Sequence, residues 1–171
     1  MSIKTFKDTV LAKFFSRFPV LVELWAKSHK FVVNATIPWT DLSKDLNECR
    51  IALVTTAGVH LKSQTPYDME NQEGDPSFRE IPSNTPLSDL MITHNYYDHK
   101  DADSDVNVVL PMERLKELEA EGIIKGIASR HFSFMGHILG RHIEKLIKQT
   151  GPEVARMLKG DQNDIVFLTP A

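Results

Sequence analysis

Two short, continuous apolar runs constrain the fold of this chain more than any other feature. They are RIALVT, Arg50 to Thr55, and DIVFL, Asp164 to Leu168, and polar or turn-forming residues flank both. Short runs without alternation are typical of strands that are buried on both faces of a parallel sheet. The runs therefore predict an α/β protein.

The stretch between them alternates strand and helix signals. Predicted strands cover 106–110 (VNVVL) and 123–128 (IIKGIA), and predicted helices follow Pro111, ending at Gly122, and cover 134–149 and 152–159. Gly136 and Gly140 weaken the second helix. Alternating strands and helices form βαβ units with right-handed crossovers. The expected fold class is α/β, with three layers: a mostly parallel sheet with helices on both faces.

The chain outside these units divides into three parts. Residues 1–36 form a predicted N-terminal amphipathic helical arm, in which Pro19 separates two helices within 3–33, and 37–171 form the α/β domain. We expect the arm to pack on the domain or to contact another subunit. Residues 34–49 read as a connector. Residues 56–105 lack a regular pattern, but their aromatic and apolar residues predict a folded excursion.

Composition excludes several classes of protein. The net charge of −3 and pI near 6.2 give no global field that would attract nucleic acid. No apolar run approaches the roughly 20 residues that cross a membrane, and we see no signal peptide. Cys49 is the one cysteine, so an intrachain disulfide and a cysteine-based zinc site are ruled out. These features fit a soluble protein of the cytoplasm.

Polar residues follow the predicted strands, where open α/β sheets place their chemistry. His60 lies after the first strand, where it can serve as acid, base or ion-pair partner, or simply bind the backbone. His131 follows the third predicted strand. Cys49 lies at the opposite end of the first strand, so we interpret it as a buried thiol. There is no GxGxxG, P-loop or GxSxG motif, and we expect no bound cofactor.

The segment THNYYDHKDADSD holds the densest group of potential ligands. It contains His94, Asp98 and His99, but neither an HExxH motif nor an EF-hand loop. Asp101 to Asp105 fit a solvated face or a cap. The residues themselves leave open a metal-dependent hydrolase or lyase that uses these three residues with His60, and a non-catalytic binding domain whose N-terminal helices hold a partner.

Six short motifs, taken together, resemble one family. They occur in the order AGVHLKS, SFREIP, LMITHNYYD, D-x-N-x-x-x-P with ERLKELEAEG, HFSFMG and GPEVARMLK. The chain resembles the selenoprotein B family of glycine, sarcosine, betaine and D-proline reductases, and most of all the short selenocysteine subunit of D-proline reductase. The resemblance runs from about Ile37 to Ala171. Because residues 1–36 depart from that subunit, the substrate and the partner stay open.

The resemblance implies a dithiol-dependent reductase that cleaves a C–N or related bond of a small amine such as D-proline, glycine, sarcosine or betaine. It implies a selenolate nucleophile, a partner subunit that presents the substrate on a carbonyl group, and an oligomeric protein. Family motifs place His60, Arg79, His94, Asp98 and His131 around the selenolate. His60 and Arg79 would stabilise an anion, and Asp98 would orient a histidine or close a salt bridge.

In this family the counterpart of DIVFLTPA runs directly into a selenocysteine, or a cysteine in some relatives. We therefore expect the native protein to continue after Ala171 with selenocysteine, a helix and further strands, because UGA is commonly read as a stop codon. On this hypothesis the 171-residue chain is an inactive, truncated form.

Overall fold

The computed structural model describes residues 3–28 and 40–171. The helices are α1 (Ile3–Arg17), α2 (Pro19–Ser28), α3 (Lys100–Ser104), α4 (Met112–Ala120), α5 (Arg141–Lys145) and α6 (Gly151–Gly160). The strands are β1 (Arg50–Thr55), β2 (Val59–Leu61), β3 (Phe78–Pro82), β4 (Leu90–Ile92), β5 (Gly126–Ile127), β6 (Arg130–Phe134) and β7 (Ile165–Thr169). The predicted fold class, α/β, is confirmed.

β1 lies at the centre of the main sheet and pairs in parallel with three strands. β7 runs along one side of it, from Ile51 opposite Ile165 to Thr55 opposite Thr169. β5 and β6 follow each other along the other side and pair with the first and last residues of β1. β3 lies beyond β6 and is antiparallel to it. The sheet is thus mostly parallel, and β7 is an edge strand.

Helices cover both faces of this sheet, as the sequence predicts. Because neighbouring residues of a strand point to opposite faces, β1 contributes to two separate cores. Ile51 and Leu53 pack in the core that contains α4, whereas Ala52 packs in the core that contains α6. The three layers are therefore helix, sheet and helix.

The end of α4 explains why the predicted strand at 123–128 is short. Gly122 has a φ of +71°, and the N–H groups of Gly122 and Ile123 donate to the carbonyls of Glu119 and Leu118, both at 3.0 Å. This arrangement is a Schellman motif, which requires a left-handed residue after the helix. Since Ile123 closes the helix end, the strand is limited to Gly126–Ile127.

Residues 56–105 form a folded excursion, which confirms that prediction. β2 and β4 pair as a separate antiparallel sheet, with His60 opposite Met91. β3 joins the main sheet, and the short helix α3 follows β4. Tyr67 is buried within the excursion, and its hydroxyl donates to the carbonyl of Ser133 in β6 at 2.6 Å.

The predicted strand at 106–110 is wrong. Val106–Val108 form a 3₁₀ turn instead, because the Asp105 carboxylate accepts the N–H of Asn107 at 2.9 Å and starts the turn. Asn107 in turn accepts the N–H of Glu113 at 3.1 Å and binds the first turn of α4. Val109 and Leu110 are buried nevertheless. The apolar pattern of residues 106–110 therefore indicated burial and not strand geometry.

The predicted helix at 134–149 is wrong in its first half. Phe134 ends β6, Met135 forms an isolated bridge with Ala57, and α5 begins only at Arg141. A π-helical turn from Leu146 to Thr150 connects α5 to α6. Phe132 and Phe134 are buried in the sheet against α6, and their spacing of two residues is that of a strand, so Phe134 ends β6 instead of starting a helix.

The N-terminal arm consists of two helices that separate at Pro19, as predicted. Its described apolar side chains are largely exposed, including Val10, Phe14 and Val20. The rest of the predicted helical range, the start of the connector with Pro38 and Trp39, and the boundary at 36/37 lie outside the described residues. Among the helices of the described ranges, none combines the length and apolar character needed to cross a bilayer.

Candidate active site

The carboxyl ends of β1, β6 and β7 meet at one rim of the main sheet. The N–H of Thr56 donates to the carbonyl of Thr169 at 3.1 Å, and the N–H of Ala171 donates to Oγ1 of Thr56 at 3.1 Å. Gly136 follows β6, and a Cβ there would lie 3.2 Å from the Thr56 carbonyl oxygen and 3.3 Å from that of Ala171. These three segments form the rim at which open α/β sheets bind ligands.

His60 lies in β2 and is completely buried. Its Nδ1 donates to the carbonyl of Leu61 at 2.8 Å, because a carbonyl can only accept. Nε2 must then accept, and the Thr93 hydroxyl donates to it at 2.8 Å. Both ring nitrogens are therefore bound inside the protein, and the ring fixes the position of Thr93 next to the rim.

His94 follows Thr93 and is buried beside the rim glycine Gly58. Its Nδ1 accepts the N–H of Tyr96 at 3.1 Å, and burial lowers its pKa to about 4, with smaller contributions from His137 and His99. The ring is thus neutral at pH 7 and carries its proton on Nε2. This buried Nε2 has no hydrogen-bond partner in the described part of the chain, so its N–H is an unsatisfied donor.

Arg79 lies in β3 and binds the loop that precedes it. Its guanidinium donates to the carbonyls of Thr65, Pro66 and Phe78 and to the hydroxyl of Ser77 at 2.8 to 3.2 Å. It lies over the Tyr67 ring, 4.4 Å from its centroid, and the His60 ring contacts the same tyrosine at 6.0 Å between centroids. These contacts give Arg79 a role in holding the loop and Tyr67 against His60.

Asp98 is exposed. Its carboxylate accepts the N–H of Lys100 at a long 3.4 Å, at the start of α3. The neighbouring His99 pairs instead with Asp103, at 2.8 Å between Nδ1 and the carboxylate. The structure therefore places Asp98 at a helix start, and the histidine next to it is oriented by another carboxylate.

His131 does not follow a strand, contrary to the prediction, but lies within β6. It is completely buried, and its Nδ1 accepts the N–H of Leu53 in β1 at 3.1 Å. Burial lowers its pKa to about 4. The ring replaces a backbone acceptor between β5 and β6, and it lies on the strands and not at their carboxyl ends.

The metal ligands proposed from the sequence do not converge. His60 and His94 are bound as described above, and His99 pairs with Asp103. Over residues 3–28 and 40–171, no group of three or more His, Cys, Asp or Glu side chains is arranged to hold a metal ion. Cys49 is buried at the start of β1, where its thiol donates to the carbonyl of Asp45 at 3.2 Å; the prediction of a buried thiol is confirmed.

Five residues that shape the rim are not among the site residues predicted from the sequence. Thr56 and Gly136 contact Ala171 as described, the Tyr97 hydroxyl donates to the carbonyl of Ala57 at 3.1 Å, and His137 stacks on Tyr96 with ring centroids 3.9 Å apart. Thr56, Gly136 and His137 come directly after strands, so the carboxyl-end rule contains the signal once the strand bounds are known. Both tyrosines belong to the excursion, and no local sequence pattern indicates that they lie at the rim.

The fold and the rim define an α/β domain of the class that binds ligands beyond the carboxyl ends of parallel strands. The family model of glycine/sarcosine/betaine reductase selenoprotein B matches residues 24–171. The chain belongs to this reductase family, as its motifs indicate.

Curated relatives agree with this membership. The chain is 40% identical over 131 residues to the D-proline reductase subunit gamma of Acetoanaerobium sticklandii, covering 77% of this chain and 52% of the relative. It is 33% identical over 138 residues to the glycine reductase complex component B subunit gamma of Carboxydothermus hydrogenoformans, covering 78% and 30%. It thus spans about half of the first relative and under a third of the second. No solved structure matches the chain significantly.

Proposed function

We propose that this chain is the rim-forming part of a selenoprotein B-type reductase subunit that cleaves the C–N bond of a small amine. D-proline is the first substrate to test, because the relative with 40% identity is named as a D-proline reductase subunit. Glycine, sarcosine and betaine follow from the family description. The relatives are named as subunits of reductases, so we also propose that a partner subunit completes the enzyme.

The observation that carries the proposal is the meeting of β1, β6 and β7 at one rim. The backbone of Ala171 is held between Thr56 and Gly136. A selenocysteine that follows Ala171 in the full-length protein would start from this rim. Its selenolate would attack the α-carbon of an amine held on a carbonyl group of the partner, and the C–N bond would break with its electron pair leaving on nitrogen. A thiol would then form a Se–S bond, the carbon would leave selenium with the electron pair and take up a proton, and a dithiol would reduce the Se–S bond while being oxidised to a disulfide.

His94 supplies a donor for a ligand in this arrangement. Its neutral ring keeps a proton on the unpartnered Nε2, and we assign it a hydrogen bond to the selenolate or to the substrate. His60 and Arg79 act indirectly, since their polar groups are bound to Thr93, Leu61 and the loop before β3. We assign Asp98 and His131 structural positions around the site.

The genomic codon after Ala171 is the first test. An in-frame UGA followed by an open reading frame supports the proposal, whereas UAA without further coding sequence contradicts it. The second test adds the downstream frame with cysteine at position 172 and supplies the partner subunit, dithiothreitol and each of the four amines. We expect turnover in the extended protein and none in the 171-residue chain; turnover by the shorter chain would refute a selenolate located after Ala171.

His94→Gln in the extended protein tests the proposed donor. We expect a fall in kcat/KM of about tenfold to a hundredfold, since one hydrogen bond to a charged group is lost or misplaced. His99→Gln is the matched control, because His99 is bound to Asp103 on the surface side of the same segment. Equal activity of both variants would remove His94 from the mechanism.

A further inference from the structure

Hydroxyl groups hold the end of β7 in place. The carbonyl of Thr169, the last residue of β7, accepts the N–H of Thr56 at 3.1 Å and the hydroxyl of Thr55 at 3.2 Å. The hydroxyl of Thr169 in turn donates to the carbonyl of Val109, ahead of α4, at 2.7 Å. Both the backbone and the side chain of the last strand residue are therefore bound.

Pro170 limits how the backbone can leave β7. Its ring fixes φ at about −65°, and it restricts the residue before it to extended conformations. Thr169 is part of a strand and meets this restriction. Because Pro170 has no N–H, the next backbone donor belongs to Ala171, and Oγ1 of Thr56 accepts it at 3.1 Å. This hydrogen bond therefore fixes the ψ of Pro170, which is the one backbone dihedral that the ring leaves free.

The two threonines at the end of β1 have different partners. The hydroxyl of Thr55 is used within the sheet, because it donates to Thr169 and accepts the N–H of Ala57 at 3.2 Å. Thr56 follows directly and is half-buried, and its hydroxyl accepts the N–H of Ala171. Thr55 therefore stabilises the strand pair, whereas Thr56 binds the backbone that leaves it.

Gly136 gives the carbonyl of Ala171 room. A Cβ at Gly136 would lie 3.2 Å from the Thr56 carbonyl oxygen and 3.3 Å from that of Ala171, so one of the two carbonyls would have to move by a few tenths of an ångström. The backbone of Thr56 is held by Thr169, and we therefore expect the Ala171 carbonyl to move. This carbonyl lies in the same peptide plane as the nitrogen of the following residue, so a shift would reorient that residue.

We propose that Thr56 and Gly136 position the residue that follows Ala171 and so aim its side chain at the substrate. This inference rests on the proposed function, in which that residue is the selenocysteine nucleophile. Thr56 fixes the N–H of Ala171 and Gly136 admits its carbonyl, so the backbone on both sides of Ala171 is defined. A nucleophile held in this way loses little conformational freedom when it approaches the α-carbon. Both are positioning residues, since they act through Ala171.

Two substitutions of Thr56 in the extended protein with cysteine at position 172 separate positioning from strand stability. Thr56→Val removes the acceptor but keeps the shape, and kcat should fall about tenfold to a hundredfold with KM unchanged, because the partner subunit holds the substrate. Thr56→Ser keeps the hydroxyl and should retain most of the activity. A structural role gives the opposite order, since valine suits a strand better than serine. An active Thr56→Val, or a Thr56→Ser as impaired as Thr56→Val, would overturn the proposal.

Gly136→Ala perturbs the same backbone from the other side. We expect kcat to fall at least about threefold, because the added Cβ displaces the carbonyl of Ala171. Gly160→Ala is the matched control: Gly160 ends α6, and a Cβ there meets nothing within 4 Å, so kcat should not change. Circular dichroism establishes that each variant is folded. Equal kcat values for Gly136→Ala and Gly160→Ala would overturn the role of Gly136.

Amide hydrogen exchange, measured by NMR, tests the hydrogen bond without relying on the reaction. In the extended protein the N–H of Ala171 should exchange at least about fivefold faster in Thr56→Val than in the parent or in Thr56→Ser, because the amide loses its acceptor. Equal exchange in all three proteins would overturn the proposal even where turnover occurs. If the parent turns over none of the four amines, the proposed function fails, and the exchange rates still decide whether Thr56 holds Ala171.

Discussion

A histidine ring takes the place of a backbone acceptor at the centre of the sheet. Nδ1 of His131 binds the N–H of Leu53 where β5 has ended and β6 has begun. Burial holds the pKa of this ring near 4, so the nitrogen keeps its lone pair at pH 7. The histidine therefore supplies a hydrogen-bond acceptor at the strand junction.

Two substitutions of His131 separate the acceptor from the volume of the ring. His131→Leu leaves the buried N–H of Leu53 unpaired, and we expect a loss of about 1–3 kcal/mol of unfolding free energy beyond packing effects. His131→Asn keeps an acceptor near the position of Nδ1 and should cost less. Urea unfolding at pH 7 measures both, and a larger loss for His131→Asn would contradict the assigned hydrogen bond.

Gly58 and Gly122 form a matched pair for a second prediction. Both have a φ of +71°, but a Cβ at Gly58 would lie 2.5 Å from the Thr93 carbonyl oxygen, whereas a Cβ at Gly122 meets nothing within 4 Å. Gly122→Ala should cost about 1 kcal/mol for backbone strain alone. Gly58→Ala should cost clearly more, about 2–4 kcal/mol, because the backbone of the excursion must also move. Equal losses of unfolding free energy would show that the backbone of Thr93 moves away from the added Cβ without a free-energy cost.

At the scale of elements, the guanidinium of Arg130 joins three parts of the fold: β6, β3 and the end of α6. Arg130 of β6 binds both carboxylate oxygens of Asp161, after α6, at 2.7 and 2.9 Å, and it binds Glu80 of β3 at 2.8 Å. The bidentate pair lowers the pKa of Asp161. Its contribution to stability is therefore present above the ordinary pKa of an aspartate and is lost as the pH falls below it.

Arg130→Met should destabilise the protein by about 2–3 kcal/mol, since two carboxylates lose their charge-assisted hydrogen bonds. Arg114→Met is the control, because the ion pair of Arg114 with Glu117 lies on the exposed side of α4 and should contribute less than about 1 kcal/mol. Thermal unfolding at pH 7 compares the two. Similar losses would show that Arg130 does not join β6 to its neighbours.

The sequence predicted those elements whose signals are local. β1, β7, α4 and α6 occur where apolar runs, Gly122 and Pro152 indicate them. It failed at 106–110 and at 134–140, where local pattern and tertiary contacts disagree. An Asp-x-Asn turn at Asp105 redirects an apolar run, and pairing with β1 and β3 forms β6, which ends at Phe134 where the sequence predicts the start of a helix.

For the whole molecule, the distinction between local signals and tertiary contacts also applies to the candidate site. The rule that ligands bind at the carboxyl ends of strands indicates Thr56 after the predicted strand β1, but it indicates the segment after β6 only once the bounds of β6 are known. The positions of Tyr97, Tyr96 and His94 depend on how residues 56–105 fold back over the rim, through contacts such as Tyr97 with Ala57. These contacts join residues about 40 positions apart, so no local pattern predicts them. A site of this kind is half determined by sheet topology and half by the excursion.

The two buried histidines should make the whole molecule sensitive to acid well above pH 4. Both pKa values are lowered from 6.5 to about 4, so the unfolded chain binds more protons than the folded one between these limits. Stability is then full above about pH 6.5 and falls as the pH decreases towards 4, by up to about 3 kcal/mol for each ring. Urea unfolding at pH 7.0, 5.5 and 4.5 measures this loss. His131→Asn should remove about half of it; an unchanged loss in His131→Asn would mean that other groups take up the protons.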